Sequence, residues 1–157
     1  MSNLKTNAMR ILDKHKIAYK THCYADTSAI SGVDIAAVLN ENPDKVFKTL
    51  VTTGKSGTHY VFMIPVAEEL DLKKAAIAVG EKYVEMLKQK DLLPLTGYVH
   101  GGCSPIGMKK LFKTTIHQTA LDYPTIFFSA GAIGYQVEMP LADLSTVIPI
   151  ATADIIA

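Results

Sequence analysis

Residues 46–66, VFKTLVTTGKSGTHYVFMIPV, decide the fold that this sequence predicts. Two runs, Val46 to Thr53 and His59 to Val66, are rich in the β-branched and aromatic residues that favour strands. Between them stands Gly54-Lys55-Ser56-Gly57, a short connection with glycines at both ends. Because such connections are typical of hairpins, the stretch predicts two neighbouring antiparallel strands.

The rest of the chain adds both strands and helices to this hairpin. Further strands are predicted at Ile17–Tyr24, Gly97–His100, Thr114–His117, Thr125–Ser129 and Tyr135–Met139. Helices are predicted from Asn3 onward, from Ser31 or Asp34 to Asn42-Pro43, over Leu72–Val79 between Asp71 and Gly80, around Tyr83–Lys88, and over Pro140–Val147. Strands outnumber long helices, which predicts an α+β domain with a mixed, curved sheet.

Length and composition predict one globular domain over residues 1–157. A chain of 157 residues with 48% hydrophobic residues can bury a core, which excludes a disordered protein. The longest uncharged stretch, Leu92 to Met108, is interrupted by Pro94 and several glycines, so no membrane span is predicted. Without a visible signal peptide, a cytoplasmic protein with Cys23 and Cys103 as reduced thiols is expected.

Charge is distributed unevenly along the chain. The formal net charge is only +1, which argues against a protein that coats DNA or RNA by bulk electrostatics. All 16 Lys and Arg residues lie at or before Lys113, together with 11 acids, so residues 1–113 carry +5. Residues 114–157 hold four acids and no base, and carry −4. Solvated lysines at helix ends explain this asymmetry equally well.

The densest candidate for a functional site is the stretch Gly101 to Gly107. The adjacent glycines Gly101 and Gly102 permit backbone conformations in which amide groups converge on an anion or an oxyanion. Ser104-Pro105 is a favourable start for a helix, which would place a helix N-terminus beside the turn. A tight strand-to-helix turn without a ligand explains the same residues.

Lys48 and Ser129 are two further candidates. Lys48 interrupts an apolar strand, so its side chain either faces solvent, as most lysines do, or reaches into a pocket where it could hold a phosphate or a carbonyl. Ser129-Ala130-Gly131 follows the apolar run Ile126-Phe127-Phe128, so a hydroxyl emerges at a strand end. With no general base nearby in sequence, a nucleophilic serine stays conjecture.

The cysteines and histidines give weaker signals. Cys103 lies three residues after His100, but this spacing does not ensure a thiolate–imidazole pair, and a packed thiol is the simpler interpretation. The five histidines show no spacing typical of metal ligands. No metal and no organic cofactor is therefore predicted.

Three motifs in order, Phe47-Lys48-Thr49-Leu50, the stretch Gly97 to Gly107, and Ser129-Ala130-Gly131, resemble the YbaK/EbsC family. These proteins are stand-alone relatives of the editing domain of bacterial prolyl-tRNA synthetases. The resemblance covers nearly the whole chain. It implies an α+β fold around a mixed, barrel-like sheet, and the removal of a wrong amino acid from a charged tRNA, most typically cysteine from Cys-tRNA(Pro).

The resemblance also implies roles for particular residues. Lys48 matches the family's functional lysine, and Gly101 and Gly102 match its substrate-carbonyl loop. Ser129 matches its pocket serine and Tyr24 a pocket tyrosine, while Ser104 and Gly131 complete the predicted substrate-binding residues. In the cysteine-specific members the substrate thiol is thought to attack its own ester, so the protein needs no nucleophile of its own.

This sequence departs from the family pattern at several positions. Cys103 replaces an aliphatic residue, Ala132-Ile133 replace a basic pair, Ile30-Ser31 replace an aromatic, and Gln136 stands where some cysteine-specific members carry an acid. Two other functions fit the same motifs: a non-catalytic module that binds tRNA or a synthetase, and a domain that binds a small carboxylate or phosphate.

The expected partners are the 3′ end of a mischarged tRNA and a prolyl-tRNA synthetase. Since the net charge is low, binding of free tRNA is expected to be weak and salt-sensitive, with the synthetase delivering the tRNA.

Overall fold

A computed structural model describes residues 4–157 of the protein. The helices are α1 (Asn7–Lys14), α2 (Gly32–Val38), α3 (Leu72–Val79), α4 (Gln89–Thr96) and α5 (Leu141–Leu144). The strands are β1 (Lys20–Cys23), β2 (Phe47–Gly54), β3 (His59–Pro65), β4 (Val84–Met86), β5 (Lys113–His117), β6 (Ile126–Ser129), β7 (Tyr135–Met139) and β8 (Ile150–Ala153). This content confirms the predicted α+β class.

The described strands divide between two sheets. The smaller has the order β1-β7-β6 and is antiparallel throughout. The larger has the order β4-β2-β3-β5-β8, in which β4, β2 and β3 are antiparallel while β3, β5 and β8 run parallel. A bridge between Val46, the residue before β2, and Phe127 of β6 connects the two sheets. The predicted mixed sheet is thus present, but the barrel-like closure is replaced by two sheets that meet at one corner.

The main core lies between the two sheets and is covered by α1. Ala8, Met9 and Leu12 of α1 are at most 2% exposed and pack against apolar side chains of both sheets. A second cluster lies on the opposite face of the larger sheet, where α3 covers Phe62 and Ile64. Each large apolar side chain buried in this way contributes about 1.5–3 kcal/mol to stability.

Several elements form where the local signals place them. The β2–β3 hairpin is confirmed, with Phe47 opposite Pro65 and Thr53 opposite His59. Helix α3 begins after Asp71, whose carboxylate accepts from the amides of Lys73 and Lys74, and ends at Gly80 with φ +76°. In α2 the N-cap is Ser31 rather than Asp34, since the Ser31 hydroxyl accepts from the Asp34 amide.

Several predicted elements differ from the structure. Residues 83–88 contain strand β4 instead of a helix, because Val84–Met86 pair with Thr52–Gly54. The predicted strand Gly97–His100 is wrong, since Gly97 ends α4 with φ +87°. The helix predicted over Pro140–Val147 is present as the shorter α5, and the strand β8, which was not predicted, follows it and pairs with β5. Helix α1 begins at Asn7 with Thr6 as its N-cap, while Asn3, predicted to open it, lies outside the described residues.

Across residues 4–157, every helix is too short or too polar to cross a membrane.

Candidate active site

A cleft of about 210 Å³ lies at the corner where the two sheets meet. Its walls come from both sheets, from the start of α2, from α4 and from the turn after α4. Its lining includes four of the predicted site residues, Tyr24, Lys48, Gly101 and Ser129. Ligand pockets for drug-sized molecules run to roughly 300–1,000 Å³, so this cleft suits a group the size of an amino acid.

Lys48 is the cation of this cleft. It lies on β2, opposite Ile64 of β3, and follows Phe47, which is 2% exposed. The backbone of β2 is therefore held by pairing with β3, and by β4 further along, while the half-buried Lys48 side chain lines the cleft. A compact ammonium group in this position can bind a phosphate, a ribose oxygen or an ester carbonyl.

Gly101 and Gly102 form a turn over the cleft. The Gly102 amide donates to the Val99 carbonyl at 3.0 Å, and Gly101, third residue of this turn, has φ +88°. A type II turn requires such a φ at that position and therefore favours glycine. The two glycines differ in what they can offer: Gly101 is exposed and lines the cleft, whereas Gly102 is buried with its amide engaged in the turn.

The helix predicted after Ser104-Pro105 is absent, and residues 101–112 contain neither helix nor strand. Ser104 is fully buried, and its hydroxyl accepts from the Ile106 amide at 3.2 Å. This local bond shapes the loop, and it places Ser104 beneath the cleft lining rather than in it. The backbone of the turn, not a helix N-terminus, is therefore what this segment presents to a ligand.

Tyr98 anchors the same loop to the core. Its hydroxyl donates to the Ile106 carbonyl, and its side chain is 9% exposed. Glycines at 107 and 131 leave room for the ring: a Cβ at Gly107 would come 2.9 Å from the Tyr98 hydroxyl, and one at Gly131 would come 3.0 Å from Cε1. Gly131, predicted to bind substrate, is not among the cleft-lining residues and has this packing reason to be glycine.

Ser129 and Tyr24 line the cleft from the smaller sheet. Ser129 ends β6 opposite Gln136, and its hydroxyl accepts from the Gly131 amide at 3.2 Å. Tyr24 follows β1 and is 4% exposed, with its amide donating to the Gly134 carbonyl at 2.7 Å. Both backbones are thus fixed by the sheet and by the turn that joins β6 to β7.

Helix α1 supports this strand end from the core side. The Thr6 hydroxyl accepts from the Met9 amide as the cap of α1 and also donates to the Ala130 carbonyl at 2.6 Å. One buried hydroxyl therefore joins the start of α1 to the residue that follows Ser129.

The thiols have contrasting surroundings. Cys103 is buried among Val51, Val61 and Tyr98, and burial raises its pKa to about 12. Although Cys103 contributes to the cleft lining, at neutral pH it is a neutral thiol rather than a nucleophilic thiolate. Cys23 is a free, exposed thiol on β1. The interpretation of Cys103 as a packed thiol agrees with these surroundings.

The cleft also contains residues that were not predicted as site residues. His100 is exposed beside Gly101, and Gln136 on β7 lines the cleft while being 4% exposed. Gln136 alternates with the apolar residues of β7, as an outward-facing residue of a strand would, so no signal in the sequence marks its place in the cleft. Within residues 4–157, His, Cys, Asp and Glu side chains nowhere form a group of three or more that could hold a metal ion.

Comparison with known proteins identifies relatives of the chain. Residues 26–147 match the family described as aminoacyl-tRNA editing domain. Over 143 residues the chain is 48% identical to EbsC of Enterococcus faecalis, described as a "Cys-tRNA(Pro)/Cys-tRNA(Cys) deacylase", covering 90% of this chain and 87% of that protein.

Solved structures share the fold at lower identity. A crystal structure described as a trans-editing enzyme for prolyl tRNA synthetase matches with a TM-score of 0.83 and 21% identity, covering 98% of this chain and 99% of that one. The hypothetical protein APE2540 matches with a TM-score of 0.85 and 18% identity, covering 94% and 97% of the two chains.

Proposed function

The chain belongs to the aminoacyl-tRNA editing domain family, and from this premise we propose that it removes cysteine from Cys-tRNA(Pro) or a related mischarged tRNA. The observation that supports this most directly is the joint presence of Lys48, Gly101 and Ser129 in one cleft of amino-acid size. Such a cleft accommodates the aminoacyl ester while the body of the tRNA stays outside. For this substrate we expect the protein to act in the cytoplasm, where tRNA is charged.

The reaction breaks the ester bond between the amino acid and the terminal ribose. Lys48 holds the terminal adenosine through its phosphate or ribose, or polarises the ester carbonyl, and the turn at Gly101 faces that carbonyl. Negative charge that develops on the carbonyl oxygen is stabilised by preorganised donors, each worth on the order of 3 kcal/mol in the barrier. Ser129 adds a hydroxyl to the lining of the same cleft.

Two attacking groups are compatible with these contacts. In the first route the substrate's own thiol attacks its carbonyl, so the sulfur–carbon bond forms, the carbon–oxygen bond breaks, and the thiol proton passes to the ribose oxygen. The products are a thiolactone and free tRNA. In the second route water attacks the carbonyl carbon, the same carbon–oxygen bond breaks, and the products are free cysteine and free tRNA, whose ribose oxygen takes up a proton from the water. Cys103 serves neither route, since burial keeps its thiol protonated.

A basic segment next to the cleft is suited to the acceptor stem. Residues 88–113 contain five lysines and one acid, and all five lysines are exposed, namely Lys88, Lys90, Lys109, Lys110 and Lys113. The same segment supplies Leu92, His100 and Gly101 to the cleft wall. Phosphates that flank the bound 3′ end would meet these lysines, which predicts salt-sensitive binding. A prolyl-tRNA synthetase would then bring the tRNA to the protein.

The role of Lys48 is tested by Lys48→Met, which keeps the length of the side chain and removes the charge. Deacylation of Cys-tRNA(Pro) should fall by about 100-fold or more, because a charged donor to the substrate is lost. The matched control is Lys55→Met, which removes an exposed charge from the turn of the same hairpin and should leave the rate unchanged. Full activity of Lys48→Met with an unaltered circular dichroism spectrum would disprove the assigned role.

A further inference from the structure

Besides Lys48, the cleft is lined by another polar side chain, Gln136, which contacts Glu41. Gln136 lies on β7, between His22 of β1 and Ser129 of β6 in the register of the smaller sheet. Its amide nitrogen donates to both carboxylate oxygens of Glu41, at 2.9 and 3.0 Å. Because a carboxylate can only accept, this contact determines which end of the amide faces Glu41.

Glu41 is held in place by the end of α2. Asn40 has φ +54°, a left-handed conformation that stops the helix, and the Glu41 amide then donates back to the Ala36 carbonyl at 2.8 Å. The side chain is half-buried, and burial raises its pKa to about 6. At neutral pH Glu41 is therefore still mainly a carboxylate.

Three charged or titratable groups face Glu41 from the neighbouring elements. His22 on β1 and Lys45 on the turn after α2 favour its ionised form, whereas Glu138 on β7 opposes it. His22 and Glu138 are paired with each other at 3.0 Å, and Thr125 donates to the second oxygen of Glu138 at 2.7 Å. Glu138 thus has partners of its own, and the partner of Glu41 that lines the cleft is Gln136.

We infer that Glu41 is a positioning residue that keeps the oxygen of the Gln136 amide toward the cleft, where it accepts a hydrogen bond from the α-ammonium group of the aminoacyl ester. This inference rests on the proposed function. With the amide nitrogen bound to Glu41, the oxygen is the polar atom that Gln136 offers to a ligand. The cleft then offers a complementary group to each part of the aminoacyl ester. Lys48 can bind the ester or ribose oxygens, and Gln136, with the Glu41 carboxylate nearby, can bind the α-ammonium group.

The test compares two substrates, Cys-tRNA(Pro) and N-acetyl-Cys-tRNA(Pro), in which acetylation removes the ammonium charge. The wild-type protein should prefer the free amine by about 10-fold or more in kcat/KM, since hydrogen bonds to charged groups contribute this much. In Glu41→Gln the new amide can donate to the Gln136 oxygen, so Gln136 can turn its nitrogen toward the cleft. The preference should then shrink to within about 3-fold, mainly through a higher KM for the free amine.

Two variants separate this role from a structural one. The double variant Glu41→Gln with Gln136→Glu restores an acid–amide pair with an acceptor facing the cleft, and should recover the preference. Glu85→Gln, which removes an exposed acid on β4, should not change it. A steric penalty of the acetyl group would be equal in all variants, so it cannot imitate this pattern.

The outcomes distinguish this inference from the proposed function. Equal turnover of both substrates by the wild-type protein, or an unchanged preference in Glu41→Gln, would overturn the inference and leave the deacylase function intact. Deacylation of neither substrate by the wild type would overturn both.

Discussion

Two walls of the cleft differ in secondary structure: one consists of paired strands and the other of a loop. Lys48, Ser129 and Gln136 stand on strands, where the pairing of β2 with β3 and of β6 with β7 sets the position of each side chain. The opposite wall, residues 97–107, has neither strand nor helix and depends on the Val99–Gly102 turn and on the anchoring of Tyr98. A substitution in the strand wall should therefore remove one functional group and leave the backbone in place. A substitution in the loop wall should instead shift the backbone of residues 97–107.

The largest effect in this comparison is expected for Gly101→Val. A β-branched residue at φ +88° is strained, so the turn should move, and small displacements of a positioning group can lower rates by about 100-fold. Deacylation of Cys-tRNA(Pro) measures the loss. Gly57→Val is a matched control, because Gly57 has the same φ in the hairpin turn and open space around it. It should lower the melting temperature similarly without affecting catalysis; equal rates for both variants would contradict the positional role of Gly101.

A smaller effect is expected for Ser129→Ala in the strand wall. The variant removes a hydroxyl that lines the cleft and accepts from the Gly131 amide, but β6 keeps its pairing with β7. Losing one neutral hydrogen bond costs about 1 kcal/mol, which corresponds to a rate lower by roughly 5-fold. Steady-state kinetics would show it, with Ser145→Ala in α5's exposed end as the control. A loss as large as that of Gly101→Val would mean that Ser129 acts in the chemical step.

The smallest effect is expected for Cys103→Ala. Its buried thiol has a pKa of about 12 and is protonated at neutral pH, so deacylation should stay within about 2-fold of the wild-type rate. In the folded protein iodoacetamide should modify the exposed Cys23 and spare Cys103, which mass spectrometry of the peptides can detect. Rapid labelling of Cys103 would contradict its burial. Loss of activity in Cys103→Ala would show that this side chain contributes to deacylation.

The contrast between the walls also explains which parts of the structure the sequence predicts. The hairpin, and helix α3 with Asp71 and Gly80 at its ends, follow from signals within a few neighbouring residues. Residues 83–88 look helical by themselves, yet Val84–Met86 become a strand because Thr52–Gly54 offer an edge to pair with. That partner lies about 30 residues away in the chain, where no local pattern reveals it.

The site shows the same division. Lys48 stands out as a polar residue within an apolar strand, and Ser129 as a hydroxyl at the end of one. Both side chains line the cleft. The prediction for the segment around Gly97 is wrong because Pro94 disguises α4 as a non-helical stretch, and Gly97 is the left-handed cap of that helix rather than the start of a strand. Glu41 could not be recognised because its partner Gln136 is 95 positions away, and only the fold brings the two side chains together.

The parallel pairing of β5 with β8 has a consequence for synthesis of the chain. Residues 113–117 leave the ribosome before residues 150–153, and until the latter arrive one edge of β5 carries unpaired backbone groups. The residue that caps α3 is also tied to this part of the chain, because the Asp71 amide donates to the Ile155 carbonyl. Bare strand edges recruit other chains. Pairing with β8 satisfies these groups and leaves the short strand β8 as the edge of the sheet, so we expect it to lower the tendency of the newborn protein to aggregate.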